Sequence, residues 1–327
     1  MPVRFGRNQP SPCSVEIKRD LLVLLVLALL AGCAQPEPRG SDTVEPTIAS
    51  FDEETWRAEL LEHRAEKDEE FKTSTTSPMA GTQYLKSEPR DRVFLTRDGK
   101  TFDLAYEPED GAVLEVEKKE GSWHWQPLEP GAILRQEDET VANPEALDGP
   151  ALFIAGNLRL SVYPAEERIT FIVFDPERPE MTSFEHLYYY PPDARYAVSS
   201  RLTELGEPEE LVMLTSRNLE KTFYRFARIR FALDGQQHEL TAFKVALEGD
   251  GSKMLFIPFR DATSGKETYG AGRFMEIEVP DEELFVFDFN RAFSPLCNYS
   301  PAYNCAIPPP ENHLEVALRA GEKTYLH

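Results

Sequence analysis

From Val93 onward the chain runs as short β-type segments broken by turn pairs, and this rhythm limits its fold more than any other feature. Val93–Thr96, Thr101–Tyr106, Val113–Glu117, Trp123–Gln126 and Ile133–Arg135 are rich in branched and aromatic residues. Asp98-Gly99, Asp110-Gly111 and Glu120-Gly121 separate them, pairs that reach the left-handed backbone a tight turn needs. Such connections are too short for the crossover helix that parallel strands require, so neighbouring strands must pair antiparallel. Asn143–Pro150 reads as a turn-rich joint, and Asn157–Tyr163 and Ile169–Asp175 as two further strands.

A proline-marked connector, Pro176–Met181, leads to a second group of strands. These are Arg195–Thr203, Glu210–Thr215, Thr222–Leu233, Glu239–Val245, Lys253–Ile257, Arg273–Val279, Leu284–Phe287 and Glu315–Leu318, with Leu233-Asp234-Gly235-Gln236 as a hairpin turn. Ahead of all strands, Ser50 with Glu53 three residues on has a capping-box pattern. Phe51, Trp56, Leu60, Leu61 and Phe71 recur there at near-helical spacing, so Trp56 is expected to anchor a helix whose charged face is solvated. The expected fold is mainly β, with antiparallel sandwich- or barrel-like lobes and an N-terminal α-helix. One lobe, with the helix, spans 50–175 and the other 176–327.

Upstream, Leu21–Leu30 gives ten apolar residues, enough for the h-region of an export signal and short of the roughly 18 that span a bilayer. Leu30-Ala31-Gly32-Cys33 behind it resembles a bacterial lipoprotein signal, in which the cysteine is acylated and becomes the first mature residue. A plain secretory signal with a chance cysteine is the alternative, since small residues at 31 and 32 suit both. Residues 1–32 are then the removed signal and 33–49 a flexible tether rich in proline and charge. Ala34 is not the aspartate that commonly retains lipoproteins in an inner membrane. The expected address is the cell envelope, on the periplasmic side of an outer membrane where there is one.

Without residues 1–32 the chain carries 31 basic and 55 acidic residues, a formal charge of −24. Such a surface repels nucleic acid and anionic lipid headgroups, so membrane attachment would rest on the lipid alone. Only Cys297 and Cys305 remain as thiols, in a proline- and tyrosine-rich segment. In an exported protein they read as a disulfide, which by chain entropy would contribute about 2.5 kcal/mol. A metal site with His313 is the competing reading, but its spacing does not match short zinc knuckles.

Chemistry-bearing side chains concentrate in residues 256–273, where Arg260, Asp261, Glu267, Tyr269 and Arg273 fall among Gly265, Gly270 and Gly272. Asp288-Phe289-Asn290-Arg291 follows downstream. Tyr269-Gly270-Ala271-Gly272 lacks the third glycine of a dinucleotide fingerprint and runs into a strand, so no cofactor is expected. Ser264 fails the nucleophile-elbow pattern. Arg260–Asp261 and Arg273–Glu267 also read as ion pairs pinning a long loop. Tyr188-Tyr189-Tyr190-Pro191-Pro192, beside His186, reads either as the rim of an aromatic pocket or as aromatic–proline packing.

Phe184–Pro192, Phe256–Arg273, Asp288–Pro295 with Cys297, Tyr299 through Cys305 to Asn312, and Ala320-Gly321-Glu322 together resemble the family called domain of unknown function 1684. Phe71-Lys72 and Ser77-Pro78 fit that family's opening helix. The resemblance runs from about residue 50 to the end and implies a fold and a site position, with no established activity. His313 stands where the resemblance leads one to expect arginine.

The leading expectation is a lipid-anchored envelope protein that binds a small polar or anionic ligand. Arg260, Arg273 and Arg291 would grip the anion through bidentate guanidinium forks, with Tyr269 and Asn290 fixing its orientation. Two alternatives stand beside it. One is a hydrolase using Asp261 and Asp288 as acid and base or as metal ligands, and the other a structural envelope protein without a small-molecule site.

Overall fold

The structure is a computed structural model and describes residues 51–135 and 145–326. The signal over 1–32, Cys33, the tether over 33–49 and Ser50 lie outside the described residues. Helix α1 (Glu53–Thr73) is capped by Asp52, whose carboxylate accepts from the Glu54 and Thr55 amides at 3.1 and 3.4 Å. The described cap is therefore Asp52, where the sequence pattern pointed to Ser50. Trp56, Leu60, Arg64 and Phe71 form the buried stripe of α1.

Ten strands follow: β1 (Gly81–Lys86), β2 (Arg92–Asp98), β3 (Thr101–Ala105), β4 (Ala112–Lys119), β5 (Ser122–Pro127), β6 (Leu134–Arg135), β7 (Glu145–Leu147), β8 (Ala151–Ala155), β9 (Leu158–Pro164) and β10 (Ile169–Phe174). They pair antiparallel into two five-stranded sheets, ordered β1-β10-β9-β8-β6 and β3-β2-β4-β5-β7. Alternate residues of both sheets close on one core, with Val93, Leu95, Phe102, Leu114 and Trp125 facing Phe153, Leu160, Val162, Phe171 and Val173. Trp125 and Phe153 meet edge to face across it, their ring centres 4.6 Å apart.

The stretch read as a connector folds into the short helix α2 (Pro179–Ser183), begun by a proline that suits a first helical turn. The second lobe is one sheet of six strands: β11 (Ala197–Leu214), β12 (Glu220–Leu233), β13 (Gln236–Lys244), β14 (Met254–Phe259), β15 (Arg273–Glu278) and β16 (Leu284–Asp288). Their order is β15-β14-β13-β12-β11-β16, and the sheet curls into a half-barrel. The β12–β13 turn is built as expected, with Asp234 and Gly235 both at positive φ (51° and 76°). Two segments expected as separate strands are one, β11, because a bulge between Glu204 and Glu209 lets the chain loop out without losing its pairing to β12. Residues 315–318, expected as a strand, run as irregular chain over the sheet. Their job is to bury Leu314, Leu318 and Ala320 against Ile257, Phe259 and Phe289.

A third cluster knits the parts into one body. Phe71 of α1, Met79, Phe174 of β10, Phe184, Phe223, Phe256, Phe274, Tyr299 and Tyr303 pack together. Helix α1 directs its polar buried groups at the second lobe. The Trp56 indole N–H donates to Asp288 at 2.7 Å, Arg64 donates to the carbonyls of Tyr190 and Asn290 at 2.9 and 3.1 Å, and Lys67 pairs with Glu322 at 2.6 Å. Among the described residues no helix is long and apolar enough to cross a membrane.

Candidate functional site

The loop between β14 and β15 is shaped from its two ends. Asp261, at its start, is buried and accepts from the Thr263 hydroxyl at 2.9 Å, the Ser264 hydroxyl at 3.2 Å and the Leu318 amide at 2.7 Å. Arg273, at its end, is fully buried and lies 3.5 Å from the same carboxylate. Its guanidinium donates to the carbonyl of Leu318 at 2.7 Å, to that of Ala320, and more weakly to that of Glu322 at 3.4 Å. The pair therefore fastens both ends of the loop to the C-terminal segment. Gly272 just before Arg273 has φ +105°, and a Cβ there would stand 2.5 Å from the Phe259 carbonyl, so only glycine fits.

The loop tip is closed on itself. The Thr263 carbonyl accepts from the amides of Lys266, Glu267 and Thr268 at 2.9 to 3.2 Å, and Gly265 donates to the Thr268 carbonyl at 2.9 Å. The tip forms one wall of a cleft of about 500 Å³, lined by Gly265–Gly270, Tyr188, Lys323, Thr324 and Leu326. The facing wall is held by backbone bonds, from Lys323 to the Tyr188 carbonyl at 2.8 Å and from Thr324 to the Glu267 carbonyl at 3.2 Å.

The charges of the cleft do not cancel. Glu267 accepts from the Arg319 guanidinium at 2.8 to 3.1 Å and from the Tyr190 hydroxyl at 3.0 Å. Arg319 chiefly holds its carboxyl below the usual range. Lys266 and Lys323 have no carboxylate within ion-pair distance among the described residues. Lys266 reaches only the Ala262 carbonyl, at 3.4 Å, and Lys323 lies 5.5 Å from the Tyr190 ring centre. Two ammonium groups outside ion-pair distance of any described carboxylate thus border a cleft with tyrosines on both sides, and its one carboxylate among the described residues, Glu267, is already engaged by Arg319. A neighbouring cavity of about 420 Å³ shares Tyr188 and Leu326 and adds Met79, Glu180, Glu185, His186 and Tyr325.

The residues singled out from sequence do not converge. Tyr269 lines the main cleft, partly buried, with its hydroxyl 3.3 Å from the Cys297 carbonyl, and burial pushes its pKa up. Arg273 and Asp261 lie in the interior as one pair, so the arginine's partner is Asp261 and Glu267 belongs to Arg319. Asn290 is buried and joins Asp193 to Asp288, donating to the Asp193 carbonyl at 2.9 Å and to the Asp288 carboxylate at 2.8 Å. Asp288, also buried, accepts from Trp56 and Asn290 and lies 3.8 Å from Arg291. Arg291 faces a different cleft, beside His63, Glu66, Lys67, Glu70, Glu276 and Phe293. Arg260 is partly buried, and its backbone bonds to Asn312 and Leu314. Asp261 and Asp288 thus stand apart, each with its oxygens engaged by neighbours.

Cys297 and Cys305 are together, as expected, but are free thiols, with the Cys297 amide donating to the Cys305 sulfur at 3.2 Å. The disulfide reading is corrected to a contact between reduced thiols. His313 is exposed and its ring lies 3.3 Å from the Pro308 carbonyl. Among the described residues no group of three or more His, Cys, Asp or Glu side chains could hold a metal ion. Lys266 and Lys323 are what the sequence reading passed over. Lys266 stands in the marked segment 256–273, where attention went to the arginines, and Lys323 lies one residue beyond the marked Ala320-Gly321-Glu322.

A curled antiparallel β lobe, braced by an N-terminal helix through buried hydrogen bonds and the Lys67–Glu322 ion pair and carrying a lysine-bordered cleft, defines the class. The sequence model of the protein of unknown function family DUF1684 matches residues 182–323, which hold the cleft lining except Thr324 and Leu326. The chain belongs to that family. It is similar to an uncharacterized protein of Haloarcula marismortui solved by NMR in solution, with 38% identity over 46% of this chain and 83% of that one, at a TM-score of 0.38. A comparison with curated proteins found no match.

Proposed function

We propose that the chain binds a small anionic ligand, a carboxylate or phosphate, in the cleft between Gly265–Gly270 and Lys323–Leu326. The observation that carries this reading is the pair of lysines without an ion-pair partner, Lys266 and Lys323, on a concave surface whose only carboxylate among the described residues is neutralised by Arg319. In a protein with a formal charge of −22, an isolated positive cleft focuses anions where the rest of the surface repels them. Tyr188 and Tyr269 supply flat walls with a polar edge, and Thr324 a further hydrogen-bonding group. The part first assigned to Arg260, Arg273 and Arg291 falls to lysines.

We propose further that Cys33 is acylated and holds this lobe to the envelope, on the strength of the apolar run ending in Leu30-Ala31-Gly32-Cys33. A thermal-shift screen of small carboxylates and phosphomonoesters tests the binding reading. At least one compound is expected to raise the melting temperature of the native chain and to lose that effect in Lys266→Ala/Lys323→Ala. Equal shifts in both proteins, or no shift with any compound, would contradict it.

A further inference from the structure

We propose that Cys297 and Cys305 form a dithiol exchange site, in which Cys297 attacks an external disulfide and Cys305 resolves the adduct. The Cys305 sulfur sits against Cys297, 3.2 Å from its amide nitrogen, and the surroundings of the two residues differ. Cys297 sits in a single turn, Leu296–Asn298, directly behind Pro295, and is only partly buried beside the exposed Leu296. Cys305 is buried behind it, its amide donating to the Ser216 hydroxyl at 3.2 Å. Cys297 is therefore the more exposed of the two cysteines and Cys305 the more buried. That is the arrangement an attacking and a resolving cysteine require.

The electrostatics run the same way. Hydrogen bonds from the Cys305 thiol and from the Tyr269 and Ser216 hydroxyls favour the Cys297 thiolate and bring its pKa down to about 7, against the opposing effect of burial. Cys305 is pushed up by its hydrogen bond to Cys297 and by burial. The other titratable groups facing the pair are Lys221 on β12 and the phenols of Tyr269 and Tyr303. At pH 7 about half of the pairs hold one negative charge, shared across the contact and centred on Cys297.

The exchange balances as follows. The Cys297 thiolate attacks one sulfur of an external disulfide, forming a mixed disulfide and expelling the other sulfur as a thiolate, which takes up a proton. Capping Cys297 removes the charge that kept Cys305 protonated. Cys305 then loses its proton and attacks the Cys297 sulfur, closing the Cys297–Cys305 bond and releasing the second external thiol. Two electrons pass from the pair to the external disulfide, and an excess of thiol drives the reverse.

The test uses the full chain, equilibrated with oxidised and reduced glutathione and mapped by mass spectrometry after alkylation. A Cys297–Cys305 disulfide is expected to form and be reduced reversibly across the series. Cys305→Ser is expected to accumulate glutathione on Cys297, and Cys297→Ser to react at Cys305 at least about tenfold more slowly at pH 7. Should either variant fail to fold, limiting alkylation of the native reduced chain reads the same asymmetry, with Cys297 modified first by a similar factor. Equal rates at the two cysteines, no disulfide at any ratio, or a disulfide that excess reduced glutathione does not open would overturn the proposal. None of these results depends on whether the lysine-bordered cleft binds an anion.

Discussion

Arg273 carries its charge into the interior because nothing smaller could satisfy what surrounds it. Its fork meets one carboxylate and the carbonyls of Leu318 and Ala320 from a single rigid plane. Replacing Arg273 by alanine leaves Asp261 buried and unpaired, at a cost of about 3–5 kcal/mol. The melting temperature is expected to fall by several degrees, and Arg273→Lys to recover little of it, which thermal denaturation checks. Lys323→Ala, on the open cleft, should change stability by less than about 0.5 kcal/mol while weakening anion binding by about 1.5–3 kcal/mol. The sequence showed that residues 256–273 matter but not which way each side chain faces. An arginine holding backbone carbonyls and an arginine awaiting a ligand have the same letter, and the partner that decides between them, the 318–322 segment, is far away in the chain. Cys297 offers a pH test at the same scale. A thiol with its pKa lowered to about 7 is half ionised there, so its alkylation rate should rise through pH 7 and level off by about pH 8. A rate still climbing past pH 9 would place that thiol in an ordinary environment.

Helix α1 shows why local pattern and long-range role part company. Its spacing of Trp56, Leu60 and Phe71 was legible, and so was its place before the strands. Its partners were not, since Asp288, Tyr190, Asn290 and Glu322 lie more than a hundred residues away. Arg64, which donates to two carbonyls and whose guanidinium lies 4.5 Å from the Tyr189 ring centre, looks in sequence like one more solvated charge. Arg64→Ala is expected to cost about 3 kcal/mol, because two carbonyls and a ring lose their cation in a buried place. Chemical denaturation should show this as a lower midpoint with an unchanged slope, and a midpoint shift below about 0.5 kcal/mol would contradict the clamp. Strands were legible where turns punctuate them. The reading missed β1, β7 and β8, where Gly81, a joint rich in turn residues and the short run Ala151–Ala155 gave weak alternation. It also added a strand at 315–318, where apolar residues are buried without a ladder.

For the whole molecule, charge and attachment set the setting in which the cleft would work. A formal charge of −22 keeps the surface clear of other anions, while α1, the sandwich and the curled sheet share one aromatic junction against which Tyr325 of the C-terminal segment packs. If Cys33 is the anchor, Cys33→Ser should stop the incorporation of labelled fatty acid and move the protein from the membrane to the soluble fraction. A variant that still takes up label would refute the anchor. The fold class was legible because antiparallel pairing leaves its mark on every turn. The cleft was not, since it forms only where the 265–270 tip meets Lys323–Leu326. The central claim, that this cleft is the anion site, is tested most directly by mapping amide chemical-shift changes on titration with small dicarboxylates and phosphomonoesters. Saturable shifts confined to Gly265–Gly270, Tyr188 and Lys323–Leu326 are expected. Shifts centred on Arg291 and His63, or none that saturate, would contradict it.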